Sequence, residues 1–527
     1  MREHTALLGA VLLLTIGLAL PLTQPDEVRY TEIPANMLAS GDWVVPRLHG
    51  EAYLDKPPLH YWLVAAANRI LGPLPALSRL PSVASAALCA VALFVLGRRL
   101  FGGRIALAAS TVLLLLPGFQ LAAHYANLDS LFALWTTICQ LCLWLGLRRR
   151  DKTDLRWTAA AGFACGLAIL TKGPVALVIA VPPVMAWDWL RQHRLRFQAW
   201  ALFGTVASLT AAPWFVAISQ RQAGFWEYFL IRHHLQRFTG ALEHQQPWWF
   251  FLPVLFIAVL PFTLLIPGLI ASIFRTDPSV RRQRTDALGV AVLAAIWPIV
   301  FFSLSAGKLA SYILPAFPFI ALLLAWYLKL EQQPPFRLRA VHVLLLSFAV
   351  SLGLLAADRT LAPPFPSSTD SGTVLLWVLL WLFAGAACWT FEAGRRRAAM
   401  LAALLLNAQF LISTLPAVAK SRSLIGRATV HAHRLSPERR LPIVLVSTAE
   451  DVALLQPWYQ LPHSQVHPSD RGAFDRLFDS WRQLVVVSEP QHLDWLLEDP
   501  SYSVEMIGGR GHIFLVAASR ATSTGPE

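Results

Sequence analysis

The chain has 527 residues, of which 56% are hydrophobic and only 14% are charged, and it contains 20 tryptophans. One globular core cannot absorb so many apolar side chains, so the composition excludes a soluble protein and indicates repeated membrane crossing. The net charge of +13 does not indicate nucleic-acid binding, because the basic residues cluster beside apolar runs rather than alternating with aromatic residues on one surface.

Apolar runs predict about 13 transmembrane helices. Each run is long enough, or nearly so, to cross a hydrocarbon layer of ~30 Å. The first is flanked by Arg2 but lacks a small-residue cleavage pattern, so we expect a retained anchor rather than a signal peptide. Two short runs meet at Thr171, Lys172 and Gly173, which allows either two spans or one kinked hairpin. The runs are residues 5–24, 82–101, 104–122, 128–147, 157–171, 174–189, 199–218, 249–273, 287–305, 311–328, 340–356, 373–391 and 397–418.

Basic residues concentrate in alternate loops, which predicts the orientation of the chain. By the positive-inside rule these loops face the cytoplasm, so the N-terminus lies inside and, after an odd number of spans, the C-terminus lies outside. The clusters are Arg98, Arg99 and Arg104; Arg148 to Arg150 with Lys152 and Arg156; Arg191, Arg194 and Arg196; Arg275 with Arg281, Arg282 and Arg284; Arg337 and Arg339; and Arg395 to Arg397.

The remaining segments divide the chain into two predicted domains. Residues 1–419 form the membrane domain, with outer loops at about 25–80 and 219–248, and the first loop is expected to form short amphipathic helices on the membrane surface. Residues 420–527 read as a small α/β module outside the membrane, with strands in LPIVLV, LVVVS and HIFLVAA. The GGRG stretch near 508–511 precedes a strand and therefore predicts a hairpin turn rather than a phosphate loop.

All five cysteines lie within apolar runs, so the sequence predicts no disulfide framework. Cys139 and Cys142 have the spacing of a redox pair, but within a predicted span they are better explained as small packing residues.

Acidic and basic residues recur at the predicted outer membrane boundary, where isolated charges are costly. Asp26 and Glu27 follow the first run, Asp129 opens the fourth in HYANLDS, and Lys172 lies in LTKGP. Taken singly, each is explained as an interfacial anchor or a helix cap, with Asp129 after Asn127 as an N-cap candidate. Together they indicate a site.

Three cations lie on the outer side against the positive-inside trend. These are Lys56 in YLDKPP, Arg237 in HHLQRF and Lys308 in SAGKLASY. Cations in such places favour an anionic ligand, and a lipid phosphate would be bound by arginine through two hydrogen bonds, by lysine as a point charge and by a tyrosine hydroxyl. The alternative is snorkelling to phospholipid headgroups.

The segment DEVRYTEIPANMLASGDWVVPRLHGEAYLDKPPLHYW resembles the first outer loop of bacterial 4-amino-4-deoxy-L-arabinose (lipid A) transferases and their protein O-mannosyltransferase relatives. HYANLDS, LTKGP, HHLQRF followed by PWWF, and SAGKLASYILP extend the resemblance in the same order over residues 1–330. It implies a polytopic α-helical membrane glycosyltransferase of the GT-C type that takes its sugar from a polyprenyl phosphate.

The resemblance also implies roles for particular residues. The transferred sugar lies beside Asp26 and Glu27, supported by Asp129, while Lys56 and Arg237 hold the donor phosphate with Tyr312 and Lys308. Tyr30, Tyr53 and Lys172 are predicted to contact substrate. Donor displacement from the opposite face predicts inversion at the anomeric carbon. The partners implied are an undecaprenyl-phosphate-linked sugar, membrane lipid and an acceptor that is lipid A or another envelope component, with no nucleic acid.

Two departures from the family pattern bear on whether the protein binds a metal ion. Asp55 stands where glutamate is common, and Arg232 to His234 replace a more usual acidic residue before histidine. Asp55 with His233 or His234 could hold a divalent cation, although exposed loop histidines are the commoner explanation. No cofactor is otherwise indicated.

Other interpretations stay open at this stage. The same family includes protein or glycan O-glycosyltransferases. A transporter would show paired halves and charges deep in the bilayer, and the chain shows no obvious internal repeat. An assembly protein would leave the outer acids and bases without a joint role.

Overall fold

A computed structural model describes residues 26–48, 50–72, 75–149, 153–191, 196–236, 240 and 245–330, with residues 408, 472 and 475–476 and five strands between 443 and 520. Four predicted apolar runs lie outside the described residues: 5–24, 340–356, 373–391 and, apart from residue 408, 397–418. The predicted site residue Arg237 also lies outside them.

Helices account for most of the described residues up to 330. They are α1 Asp26–Ser40, α2 Leu59–Leu71, α3 Leu80–Phe101, α4 Gly103–Leu114, α5 Pro117–Ala123, α6 Asp129–Leu147, α7 Leu155–Lys172, α8 Val175–Leu190, α9 Phe197–Arg221, α10 Phe251–Ala258, α11 Ile266–Phe274, α12 Pro278–Arg281, α13 Asp286–Leu304 and α14 Phe317–Lys329. Short 3₁₀ helices occur at Pro75–Ser78, Phe262–Leu265 and Ala310–Ala316, and Glu227–Gln236 is a π-helix.

Among the described residues, five helices are long and apolar enough to cross a membrane, or up to seven spans if two bent pairs are counted. The spans predicted at 104–122 and 249–273 are bent: α4 and α5 meet at 66°, and α10 and Phe262–Phe274 meet at 106°. Pro117 and Pro261 lie at these breaks, and proline both lacks the amide hydrogen and crowds the preceding helical turn. The predicted junction near Lys172 is a true helix end, because Gly173 has φ +79° and its N–H donates to Ile169 O at 2.7 Å.

Two helices form the centre of the membrane domain. In α6 and in the span Ala310–Lys329, 89% of the most apolar 18-residue stretch is buried inside the protein, compared with 33% in α9. α6 packs against α3, α7 and α8, and α14 packs against α4 and α13. The helices that carry the candidate site are therefore held by a rigid, enclosed core.

The outer segment at 25–80 contains two helices, as predicted, and a small hairpin between them. The hairpin pairs β1 Arg47–Leu48 antiparallel with β2 Glu51–Ala52. α1 packs on α2 through Tyr30, Ile33, Met37 and Tyr61, together with Ala126 and Leu128 from the loop before α6. This packing fixes the predicted site residues of the outer segment against the end of α6.

The C-terminal strands form one five-stranded mixed sheet in the order β4-β3-β5-β7-β6. The three strands predicted from LPIVLV, LVVVS and HIFLVAA are present. β6 pairs antiparallel with β7 with Arg510 opposite Ile513, and Gly508, Gly509 and Arg510 of the predicted turn lie within β6. The strands are β3 Ile443–Val446, β4 His463–Val466, β5 Gln483–Ser488, β6 Tyr502–Arg510 and β7 Ile513–Arg520.

Cys89, Cys139, Cys142 and Cys165 are buried and unbridged in the described part of the chain. Cys388 lies outside it. The packing interpretation of Cys139 and Cys142 agrees with this placement.

Candidate active site

The start of α1 carries the predicted acidic pair. Asp26 is the first residue of α1, and its side chain lies outside the described part. The Glu27 carboxylate is fully buried and receives two hydrogen bonds of 2.7 Å from the Arg79 guanidinium and one of 2.8 Å from the Ala126 N–H. Glu27 therefore ties α1 to the start of α3 and to the loop before α6.

Asp129 and Lys172 form an ion pair at the ends of α6 and α7. The Lys172 ammonium also lies 5.3 Å from the Phe132 ring centroid and 5.4 Å from that of Tyr312. Asp129 is the first residue of α6, and its N–H donates to Asn127 Oδ1 at 2.9 Å. The N-cap interpretation of Asp129 is wrong, because Asn127 supplies the side-chain acceptor at this helix start.

Lys56, His233 and Asp55 form a second polar group. The Lys56 Nζ lies 2.7 Å from His233 Nε2, and His233 Nδ1 lies 3.6 Å from Asp55 Oδ1. A lysine ammonium can only donate, so a neutral His233 accepts at Nε2 and carries its proton on Nδ1, toward the Asp55 carboxylate. The Tyr228 hydroxyl donates to the same carboxylate oxygen at 2.6 Å.

The surroundings of Asp55 and Tyr53 shift their ionisation. Burial raises the pKa of Asp55, but the adjacent His233 ring, the hydrogen bond from Tyr228 and the Lys56 ammonium outweigh it and hold that pKa below its usual value. Burial and the adjacent Asp55 carboxylate raise the pKa of Tyr53, whose hydroxyl accepts a 3.4 Å hydrogen bond from Arg29. Asp55 is thus an anion and Tyr53 a neutral phenol near pH 7.

Gly173 brings the π-helix close to the end of α7. A side chain at position 173 would place its Cβ 2.8 Å from the Phe229 ring and 3.0 Å from His234 Nε2. His234 Nδ1 lies 2.5 Å from Phe229 O, and its Nε2 lies 3.4 Å from Lys172 O. The absence of a Cβ therefore allows the second outer loop to pack against the Lys172 turn.

The predicted metal ligands do not converge on one point. Asp55 and His233 are brought together, but Lys56 Nζ lies at hydrogen-bond distance from His233 Nε2, and His234 packs against Phe229 and Lys172 instead. Among the residues that the structure describes, no group of three or more His, Cys, Asp or Glu side chains could hold a metal ion. This donor set does not fit a divalent cation, and we derive no step through one.

Two further predicted phosphate ligands differ in their surroundings. Tyr312 lies beside Lys172, with its ring centroid 5.0 Å from that of Phe302. Lys308 is only 4% exposed, and its ammonium donates to the backbone oxygens of Ser305 and, at 2.8 Å, Gln246. Lys308 therefore joins the turn before Ala310–Ala316 to the end of the second outer loop.

A buried aromatic cluster lies beneath these polar groups. Tyr30 stacks on Tyr61 at 6.0 Å between ring centroids and meets the His60 ring edge-on at 5.4 Å. Tyr53 and the loop residues Ala126 and Leu128, which precede Asp129, pack in the same cluster as Tyr30 and Tyr61. The cluster therefore lies between the start of α6, which carries Asp129, and the outer segment that carries Asp55 and Lys56.

Sequence reasoning missed Arg79, Tyr228, His60 and Arg29. Arg79 could have been found by the criterion that selected Lys56, because it too is a cation beside the predicted outer end of a span. Tyr228 and His60 carry no such signal, since their contacts appear only when distant segments pack together.

The fold and the charged site at one end of the helices define a membrane glycosyltransferase of the GT-C class. The crystal structure of ArnT from Cupriavidus metallidurans bound to undecaprenyl phosphate aligns over 100% of both chains with a TM-score of 0.71 and 24% identity. A family model described as dolichyl-phosphate-mannose-protein mannosyltransferase matches residues 20–229.

Curated relatives give the family. An undecaprenyl phosphate-alpha-4-amino-4-deoxy-L-arabinose arabinosyl transferase from Pseudomonas paraeruginosa is 35% identical over 76% of this chain and 74% of its own length. One from Edwardsiella ictaluri is 33% identical over 85% of this chain and 82% of its own length. The chain belongs to the family of undecaprenyl phosphate-4-amino-4-deoxy-L-arabinose arabinosyl transferases, which confirms the predicted resemblance and the prediction of a multi-pass membrane enzyme.

Proposed function

We propose that the protein transfers a sugar, in the first instance 4-amino-4-deoxy-L-arabinose, from undecaprenyl phosphate to lipid A or another envelope acceptor. The observation that carries the proposal is that the group of Lys56, Asp55 and His233 lies next to the group of Lys172, Asp129 and Tyr312, in a chain of this family. His234 joins the two groups, because its ring lies 5.2 Å from that of His233 and its Nε2 lies 3.4 Å from Lys172 O. An assembly protein would have no need for such a grouping.

The proposed reaction is a single displacement. The acceptor oxygen forms a bond to the anomeric carbon, the bond from that carbon to the phosphate oxygen breaks, and undecaprenyl phosphate leaves with the electron pair. Lys56, Arg237 and Tyr312 stabilise the charge on the leaving phosphate. Attack opposite the leaving group inverts the anomeric centre.

Asp26 is assigned to the acceptor side. An acceptor phosphate is already anionic near neutral pH, so on lipid A a carboxylate would orient the reacting groups rather than remove a proton. A hydroxyl acceptor would instead pass its proton to Asp26 as general base. Glu27, paired with Arg79, holds the start of α1 and thereby positions Asp26.

The proposed topology places this site on the periplasmic side of the bacterial inner membrane. It includes 13 spans, a cytoplasmic N-terminus and a periplasmic α/β domain at 420–527. The alternation of basic loops supports this orientation.

Mass spectrometry of lipid A tests the function. The wild type, Asp26→Asn and Lys56→Ala are expressed in cells that make the donor but lack their own transferase, with Glu51→Gln as a matched control because Glu51 is an exposed acid of the same outer segment. We expect an added mass of one sugar with the wild type and the control, and none with the two site variants at equal membrane levels. Full activity of Lys56→Ala combined with Arg237→Ala would refute the phosphate assignment.

A second candidate is O-glycosylation of a protein or glycan, favoured by the match to the mannosyltransferase model. Unmodified lipid A, together with an envelope protein or glycan that gains a sugar only with the active enzyme, would select this alternative.

A further inference from the structure

Two buried side chains at the centre of the site lack hydrogen-bond partners. His60 and Tyr61 are both 0% exposed, and neither ring nitrogen of His60 nor the hydroxyl of Tyr61 has a partner in the described part of the chain. Buried polar groups are almost always hydrogen-bonded, and an unsatisfied one usually has a functional explanation.

Packing alone does not explain these two residues. Leucine and phenylalanine would fill similar volumes without placing an unsatisfied donor or acceptor in the core, and such replacements are neutral or stabilising when the polar atom makes no bond. A polar pair kept at a cost to stability is typical of a site that binds a ligand.

The position of His60 and Tyr61 fits a ligand that also contacts the Asp129–Lys172 pair and the group of Lys56, His233 and Asp55. His60 and Tyr61 contact the Tyr30 ring, and Tyr30 and Tyr61 pack in one cluster with Tyr53 and with Ala126 and Leu128, which precede Asp129. Asp129 is paired with Lys172 beside Tyr312, whereas Asp55 lies with Lys56 and His233. His60 and Tyr61 are consecutive residues near the start of α2, between the two groups.

The chemistry of the pair suits a neutral, hydroxyl-bearing ligand. Burial, which outweighs the nearby Asp129 carboxylate, lowers the pKa of His60 to about 4, so the ring is uncharged near pH 7. A neutral imidazole and a phenol each offer one donor and at least one acceptor, which complements sugar hydroxyls.

We propose that His60 and Tyr61 form the subsite for the sugar of the polyprenyl-phosphate donor, with the His60 ring nitrogens and the Tyr61 hydroxyl bonding to its hydroxyl groups. The inference rests on the proposed function and adds two substrate-contacting residues to it. Tyr30 contacts both rings, and His60 and Tyr61 are fully buried, so the proposal requires the Tyr30 side chain to move when the sugar binds.

Ligand-dependent thermal stability tests the subsite separately from catalysis. Purified wild type, His60→Leu and Tyr61→Phe are heated alone, with undecaprenyl phosphate, and with undecaprenyl-phosphate-linked 4-amino-4-deoxy-L-arabinose. Tyr327→Phe is the matched control, because Tyr327 is a buried tyrosine of α14 that packs at Gly268 of α11.

We expect both site variants to be at least as stable as the wild type without ligand and to respond equally to the sugar-free lipid. In both site variants the additional Tm increase produced by the sugar should be lost, and the donor KM in the transfer assay should rise at least tenfold. Tyr327→Phe should keep the sugar-dependent Tm increase and the wild-type KM. His60→Asn, which retains a polar amide, should recover part of the sugar response.

Three outcomes would overturn the inference. The first is a full sugar-dependent Tm increase in Tyr61→Phe and His60→Leu. The second is failure of His60→Leu to fold, since the argument requires an apolar replacement to be tolerated. The third is a wild type that gains no stability from the sugar and transfers none, which would refute the proposed function as well, whereas a responsive wild type with responsive variants refutes the subsite alone.

Discussion

Replacement of Arg79 by methionine is expected to destabilise the protein strongly. The guanidinium makes two hydrogen bonds of 2.7 Å to Glu27, and the two side chains are only 2% and 0% exposed. Methionine occupies a similar volume but leaves a buried carboxylate without its counter-charge, and breaking a buried pair in this way typically costs about 3–5 kcal/mol. Glu27→Leu combined with Arg79→Met removes both charges and should cost much less.

Thermal unfolding of the purified protein measures this difference. We expect the single variant to lower the Tm by about 5 °C or more, and the double variant to recover most of that loss. Arg232→Met is the control, because its pair with Glu227 spans 3.1 Å with both side chains 63% exposed, and exposed pairs contribute at most about 1 kcal/mol. An Arg79→Met protein as stable as the wild type would refute the reasoning, as would a double variant no more stable than the single one.

Three further changes test the site. Gly173→Ala should lower the Tm by an amount equivalent to about 1–3 kcal/mol, because φ is +79° and the new Cβ would lie 2.8 Å from the Phe229 ring. Lys172→Gln removes the counter-charge of Asp129 and should slow sugar transfer in membrane vesicles at least roughly tenfold, or about 1.4 kcal/mol of barrier. Asp55→Asn should lower the Tm near pH 7, and this Tm difference should shrink as the pH falls below about 4. Folding lowers the Asp55 pKa, so its stabilisation is complete above the unfolded value of about 3.9 and is lost as the pH falls through the folded value.

For each of these three predictions, a specific result would contradict the reasoning. Gly204→Ala is the control for Gly173→Ala, because a Cβ at position 204 in α9 would meet nothing within 4 Å. This change should stabilise the helix slightly. Equal effects at both glycines would contradict the close approach of Gly173 to the Phe229 ring. Wild-type transfer by Lys172→Gln would show that Asp129 needs no partner. A Tm difference between Asp55→Asn and wild type that persists unchanged at pH 3 would remove the link to ionisation.

The sequence predicted the helices of the segment at 25–80 and the C-terminal strands, because these depend on local pattern. It could not predict the bends at Pro117 and Pro261 as sharp turns, since proline within an apolar run is also compatible with a slight kink. It could not assign Glu27 to Arg79 either, because the two are 52 positions apart and only the packing of α1 on α3 brings them together.

The roles of the acids were predicted less well than their location. A carboxylate at the membrane boundary is expected both for catalysis and for an ion pair, and composition does not separate these alternatives. For Glu27 the choice depends on the orientation of α1, which is set by buried contacts of Tyr30, Ile33 and Met37 with neighbouring segments. Such contacts are tertiary and leave no short motif.

The balance of charges around the two lysines indicates why the proposed mechanism needs Arg237 as a further cation. Lys172 is paired with Asp129, and Lys56 lies beside His233, which in turn faces Asp55. The positive charges of both lysines are thus largely offset by protein carboxylates before any donor binds. A leaving phosphate gains negative charge as its bond to the sugar breaks, so it needs a further cation, and a guanidinium can bind two of its oxygens at once.

Arg237→Ala is therefore expected to weaken binding of sugar-free undecaprenyl phosphate at least tenfold, measured as the lipid concentration that gives half the maximal Tm increase. Arg237→Lys should restore only part of the affinity, because an ammonium binds as a point charge. Lys172→Gln should weaken the same lipid less, because Lys172 is paired with Asp129 and is not one of the proposed phosphate ligands. Equal loss in Arg237→Ala and Lys172→Gln would show that overall positive charge, rather than bidentate binding by Arg237, holds the phosphate.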